Sequence, residues 1–142
     1  MTSAIIEFGK KKVPEAFNFL NAAGYNLIKS GSKDDSSFEF IFLNENVKKK
    51  ISIGVLNYED VKRFFLMISI TNEPYKTVDD YISFSEYLKK NGISVPNKLE
   101  SQNRTTESIE KYIKEYAALF KKYGMELINT SKQFPGYYPK WT

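Results

Sequence analysis

Three runs of alternating apolar residues between Phe38 and Ile70 constrain this 142-residue chain more than any other feature. Phe38, Phe40 and Phe42 form the first, Ile51, Ile53 and Val55 the second, and Phe64, Leu66, Ile68 and Ile70 the third. A period of two puts each set on one face of a strand. The connections at 44–50 and 57–62 are too short to hold a crossover helix, so the strands pair antiparallel. Tyr25 to Ile28 is a further short extended stretch, separated from the first run by the turn cluster GSKDDSS at 31–37.

Helical spacing appears on both sides of these strands. Residues 13–23 read as a short helix, with Pro14 in its first turn and Val13, Ala16, Phe17, Leu20 and Ala23 on one face. A second helix starts after Thr77, which with Asp80 resembles a capping box, and runs to about Lys90. Residues 93–104 read as extended or irregular, broken by Pro96. A longer helix follows from Thr105 or Thr106, with Ile109, Tyr112, Ile113, Tyr116, Ala117, Phe120 and Tyr123 as its apolar stripe. Each helix ends at a glycine followed by an apolar residue: Gly24-Tyr25, Gly92-Ile93 and Gly124-Met125. That pairing predicts left-handed C-terminal caps with an apolar contact beyond them. Met125 to Asn129 reads as a further strand.

The fold class predicted is α+β: an antiparallel β-meander of four or five strands with about three helices packed mainly on one face. No Pro-, Gly- or Ser-rich linker divides the chain, so 1–142 reads as a single domain with an aromatic-rich C-terminal tail at 130–142. Apolar residues make up 42% and charged residues 27%, the balance of a globular protein that buries a core without staples.

Composition removes several chemistries. The chain has no cysteine, which excludes disulfides and thiolate metal sites. It has no histidine, which excludes His-based triads, the common zinc sites and the usual general base near neutral pH. Phosphate-binding glycine loops and a nucleophile elbow are absent. The acidic pairs Asp34-Asp35, Glu59-Asp60 and Asp79-Asp80 lie in turns or at a helix start, where carboxylates serve structure. No catalytic, cofactor-binding or metal-binding residue is therefore assigned, and no cofactor is expected. An enzyme built on carboxylates or tyrosines, or a small-ligand binder, stays open as an alternative.

The net charge is +4, but the lysines are scattered in short runs among acids and read as solvated turns and helix ends. The strand aromatics fall on the Ile/Val face instead of an exposed stacking face, which argues against nucleic-acid binding. No apolar leader opens the chain and the longest apolar run is Phe64 to Ile68, so the expectation is a cytoplasmic protein with no membrane partner.

Two surfaces call for an occupant. The face opposite the core set carries Glu39, Ser52, Ser69 and Thr71, as a solvated face should. It also carries Ile41, Leu43, Leu56, Phe65 and Met67, with Gly54 among them, where an aromatic such as Phe65 has room to lie over it. The second surface is the tail, where Tyr137, Tyr138 and Trp141 stand within five positions. Either the tail or the N-terminal segment covers the face, or Ile41, Leu56, Phe65, Met67, Tyr137, Tyr138 and Trp141 meet another molecule.

In overall format (a single motif-free α+β domain rich in tyrosine) the chain resembles the small immunity proteins of bacterial polymorphic toxin systems. The resemblance implies a module that neutralises a toxin by binding it, and carries no site residue over. Members that block nucleases are acidic mimics of the substrate, whereas this chain is basic, which points to a toxin that does not bind nucleic acid. Secretion chaperones share the size and mixed content, but they are acidic dimers. The partner expected is another protein, a toxin or effector, or a second copy of the chain.

Overall fold

A computed structural model describes residues 3–32, 34–100 and 104–129. Helix α1 (Ala4–Ala16) opens the chain, followed by a short α2 (Phe19–Ala22) and four strands: β1 (Asn26–Gly31), β2 (Ser37–Asn44), β3 (Lys49–Tyr58) and β4 (Arg63–Asn72). A 3-10 turn at Val78–Asp80 leads into β5 (Tyr81–Ser83) and α3 (Phe84–Lys90). After β6 (Leu99–Glu100), helix α4 (Thr106–Leu119) passes through a π-helical turn (Phe120–Gly124) into α5 (Met125–Ile128).

The sheet is antiparallel in the order β1-β2-β3-β4-β5, with β6 also on β4. The fold is thus α+β, a meander with three helices, α1, α3 and α4, packed on one face. Register follows the alternation in the sequence. Phe40, Ile53 and Ile68 form one rank across the covered face, and Phe42, Ile51 and Ile70 form the next. These side chains are buried with Ile6, Val13, Phe84, Ile109, Ile113 and Phe120 from the helices.

Helix α1 differs from its predicted bounds. It starts at Ala4, capped by the Ser3 hydroxyl, which accepts the Ile6 N–H at 3.1 Å, and it holds Pro14 inside its final turn. The buried positions Ile6, Gly9 and Val13 keep helical spacing, and Gly9 is the smallest of them. Here it permits contact: a Cβ at Gly9 would stand 2.7 Å from a methyl of Val55. The N-terminal segment therefore covers the core face, not the opposite one.

Two predicted caps are present and one is not. Gly24 and Gly92 adopt φ of +92° and +71°, and the amides of Tyr25 and Ile93 bond back to the carbonyls of Leu20 and Leu88. That is the doubly bonded C-cap that glycine favours, because a Cβ penalises the left-handed conformation. Gly124 keeps right-handed helical geometry, and the helix continues through it, so the expected strand at Met125 to Asn129 is helical instead. Its lack of a side chain serves space: a Cβ there would meet the Phe120 ring at 2.9 Å. The Thr77–Asp80 capping box forms as expected, but it caps a single 3-10 turn before β5, which shortens the helix to Phe84–Lys90.

Lys49 corrects the reading of the lysine runs. It takes the covered-face position of β3 beyond Ile51, pairs with Asn44 and Asn72 across the sheet, and is 0% exposed. Loss of hydration lowers its pKa below the ordinary lysine value.

Candidate functional site

The opposite, outer face is built from the alternate residues of the same strands. Ile41, Ser52, Ser69 and Ser83 make one rank across β2 to β5. Glu39, Gly54 and Met67 make the next, and Ser37, Leu56 and Phe65 the third. Because Gly54 lacks a side chain, Met67 loses its neighbour on β3 and stands 55% exposed in the middle of the sheet. Leu56 and Phe65 are half-buried beside it, and Ile41 is half-buried on the same face, two strands away in the next rank. Leu56 reaches toward the Gly54 position, where an ideal Cβ would meet its terminal methyl at 3.4 Å and Met67 Cβ at 3.8 Å. The residues beside Gly54 are thus Leu56 and Met67, and Phe65 is not among its close neighbours. Glu39 accepts a hydrogen bond from Ser52 Oγ at 2.9 Å, which fixes its carboxylate at the rim of this dip.

Phe65 is covered from its own end of the sheet. Tyr58 packs on it at 5.8 Å between centroids, and Lys98 Nζ lies 4.5 Å above its ring. The structure therefore brings Ile41, Leu56, Phe65 and Met67 together on one surface. Tyr137, Tyr138 and Trp141, with the rest of the 130–142 tail, lie outside the described residues.

A second feature emerges along β4. On its outer edge, β6 pairs with Arg63 and Phe64, and β5 pairs with Ser69 to Thr71. Among the described residues, none pairs as a strand with 65–68 on that edge. One backbone group in the gap is satisfied from below: the hydroxyl of Tyr112 on α4 accepts the Leu66 N–H at 3.1 Å. A cleft of about 640 Å³ runs from the outer face over this gap. Its wall includes Ser83, Ser85 and Lys89 at the β5–α3 junction and Val95, Pro96 and Lys98 on the opposite side, with Tyr112 and Tyr116 in the lining. Burial raises the pKa of the Tyr112 hydroxyl and pushes that of Tyr116 up to about 12, so both stay protonated near neutral pH. The sequence placed both tyrosines in the apolar stripe of α4, which is correct. Nothing in it indicated that the strand beside them would be left partly unpaired.

The acidic pairs serve structure where they are described. Asp34 accepts bonds from the Ser36 amide and the Ser37 hydroxyl in the β1–β2 turn. The amides of Lys76 and Thr77 and the Asn72 side chain hold the Asp80 carboxyl below its ordinary range. Asn57 and Arg104 do the same for Glu59, and Arg104 Nη1 also bonds Asn57 Oδ1 at 2.8 Å, joining the end of β3 to the start of α4. Among the described residues no three acidic side chains group as metal ligands do. No helix among them is long and apolar enough to cross a membrane.

Strand β1, an edge of the sheet among the described residues, is exposed from Asn26 to Ser30, with Leu27 and Ile28 about half exposed. Its ladder is broken by an irregularity between Leu27 and Lys29, and Lys29 stands in its middle. A bulge and a charge are devices that discourage a second strand from pairing there. The chain matches no protein-family model, no curated protein and no solved structure.

Proposed function

We propose that this chain is a protein-interaction module whose binding surface is the outer face of the sheet, and that it acts in the cytoplasm as a toxin-neutralising immunity protein. The supporting observation is Met67, more than half exposed beside the Gly54 dip, with Leu56 and Phe65 beside it and Ile41 farther across the same face. An apolar, concave centre framed by serines and charges has the layout of an interface core and its polar rim. Methionine adapts its shape to an incoming side chain at small cost. Lys29, opposite Ile41, and Lys98, above Phe65, place positive charge on two sides, so the partner that fits carries an apolar protrusion flanked by acidic groups.

The test is co-expression with the products of the flanking genes, followed by size-exclusion chromatography. A stoichiometric complex that Met67→Lys and Leu56→Lys each abolish, with unchanged circular dichroism and melting temperature, supports the reading. A complex indifferent to both substitutions rules out the outer face as the interface. Failure of every flanking product to bind speaks against an immunity role.

A further inference from the structure

We infer that in the free protein the outer face closes against the outer face of a second copy, in a two-fold dimer whose axis runs along the strands between β3 and β4. This dimer rests on the reading of that face as an interface and supplies its occupant when no other partner is bound. The occupant is the chain itself, which the partner has to displace.

The ranks of the outer face are self-complementary under one operation. Each crosses from β3 to β4: Ser52 to Ser69, Gly54 to Met67, and Leu56 to Phe65. A half-turn about a line between the two strands, lying in the plane of the contact, exchanges these columns. It sets Met67 of each copy over Gly54 of the other, so an exposed side chain enters the dip that a missing Cβ leaves. The same half-turn sets Leu56 over Phe65, apolar on apolar, and Ser52 over Ser69, hydroxyl on hydroxyl. An axis across the strands does worse, because it stacks Met67 on Met67 and Gly54 on Gly54. Pairing of one residue with a second, and of that second with the first, is what a two-fold contact requires. The strands of the two sheets then run nearly aligned, as they do in sandwiches, within about 30°.

The charges at the flanks obey the same operation. On the β2 side of the dip stands Glu39, its carboxylate held by Ser52 Oγ at 2.9 Å. On the β4 side Lys98 is exposed, with Nζ 4.5 Å above the Phe65 ring. The half-turn brings Glu39 of each copy toward Lys98 of the other. Farther out, Lys29 lies at the β1 end of the serine rank and Glu86 just beyond its β5 end, a second pair of opposite sign. Glu86 is already shared with Lys89 at 3.7 Å, so Glu39 and Lys98 are the pair to test. Complementary charge around a complementary shape favours this occupant over one that matches the apolar centre alone.

The experiment is sedimentation velocity on the full chain from about 1 µM to about 1 mM, using variants whose circular dichroism and melting temperature match the parent. The parent should dimerise within that range, and Met67→Lys should stay monomeric. Glu39→Lys and Lys98→Glu should each weaken self-association about ten-fold, since each makes the flank pairs like-charged. Mixed in equal amounts, these two variants should form a heterodimer about as tight as the parent dimer, a result that requires Glu39 to meet Lys98 of the other copy. A parent that is monomeric at every concentration overturns the inference, as does a dimer that Met67→Lys leaves intact or a mixture that stays monomeric. Dimerisation only after deletion of residues 130–142 assigns the face to the tail and overturns it as well. The two readings fail separately. A monomer whose complex with a flanking gene product is abolished by Met67→Lys keeps the interface and loses the dimer. A dimer that binds no flanking product keeps the dimer and loses the immunity role.

Discussion

The hydroxyl of Tyr112 accepts the amide N–H of Leu66 at 3.1 Å, so a helix side chain completes the hydrogen bonding of a strand where no neighbouring strand does among the described residues. Its neighbour one turn on, Tyr116, is as deeply buried and has no such partner among the described residues. The two tyrosines therefore predict opposite outcomes for the same chemical change. Tyr112→Phe strands a buried amide and should cost about 1–3 kcal/mol. Tyr116→Phe removes a hydroxyl that bonds nothing in the described fold and should change stability by less than about 0.5 kcal/mol. Urea unfolding followed by circular dichroism measures both; equal losses would contradict the assignment of partners.

Alkaline pH should probe the same pair through proton linkage. Burial raises the pKa of Tyr25, Tyr112 and Tyr116 above the ordinary tyrosine value of 10.0, to about 12 for Tyr116. Above pH 10 the unfolded chain releases these protons while the native state keeps them, so stability is whole below pH 10 and falls as pH rises toward 12. Each such tyrosine contributes about 1.4 kcal/mol per pH unit to that slope. Lys49 acts in the other direction: its lowered pKa means that the native state loses its proton first, so stability gains until the unfolded lysine also titrates near 10.5. Urea melts between pH 9 and pH 11.5 should show a net decline that Tyr116→Phe makes shallower by about 1.4 kcal/mol per unit.

Strands were legible in the sequence because a buried face imposes a strict period of two, and the rank Phe40, Ile53, Ile68 follows directly from it. Glycine was less transparent, because one residue type answers two needs. Gly24 and Gly92 supply a left-handed backbone, whereas Gly9 and Gly124 supply room. Only the first use has a local signature, so the first helix was placed too late and the last was ended too early. The outer-face group Ile41, Leu56, Phe65 and Met67 was visible for the same reason the core was. The cleft was not, since it joins the β4 edge, the 95–98 segment and two residues of α4, whose proximity is a product of the fold and has no spacing in the chain.

Room at Gly9 yields a third prediction. Helix propensity alone would favour Gly9→Ala by about 1 kcal/mol. The new methyl, however, would stand 2.7 Å from Val55 Cγ1 in a position fixed by backbone on both sides. Overpacking of this kind costs about 1–3 kcal/mol, so the net effect should be a loss. In the Gly9→Ala background, Val55→Ala should cost less than it does alone, because it removes the clashing methyl along with its packing. A double-mutant cycle by chemical denaturation checks this, and additive losses would mean that α1 simply shifts away.

Thr71 offers a gain instead. Its Oγ1 is buried on the outer side of β4 without a hydrogen-bond partner, opposite Lys50 on β3 and Tyr81 on β5. The hydroxyl thus bears its desolvation penalty without return. Valine keeps the β-branched shape that suits this strand position and replaces the oxygen with a methyl of similar size. Thr71→Val should therefore stabilise the protein, by about 1 kcal/mol at the lower end of the penalty for an unsatisfied buried group. For a domain of this length that corresponds to a rise in Tm of roughly 2–5 °C. Calorimetry of the single variant decides it. A drop in Tm would show that the Thr71 hydroxyl has a partner in the folded protein, and that the site is polar by need.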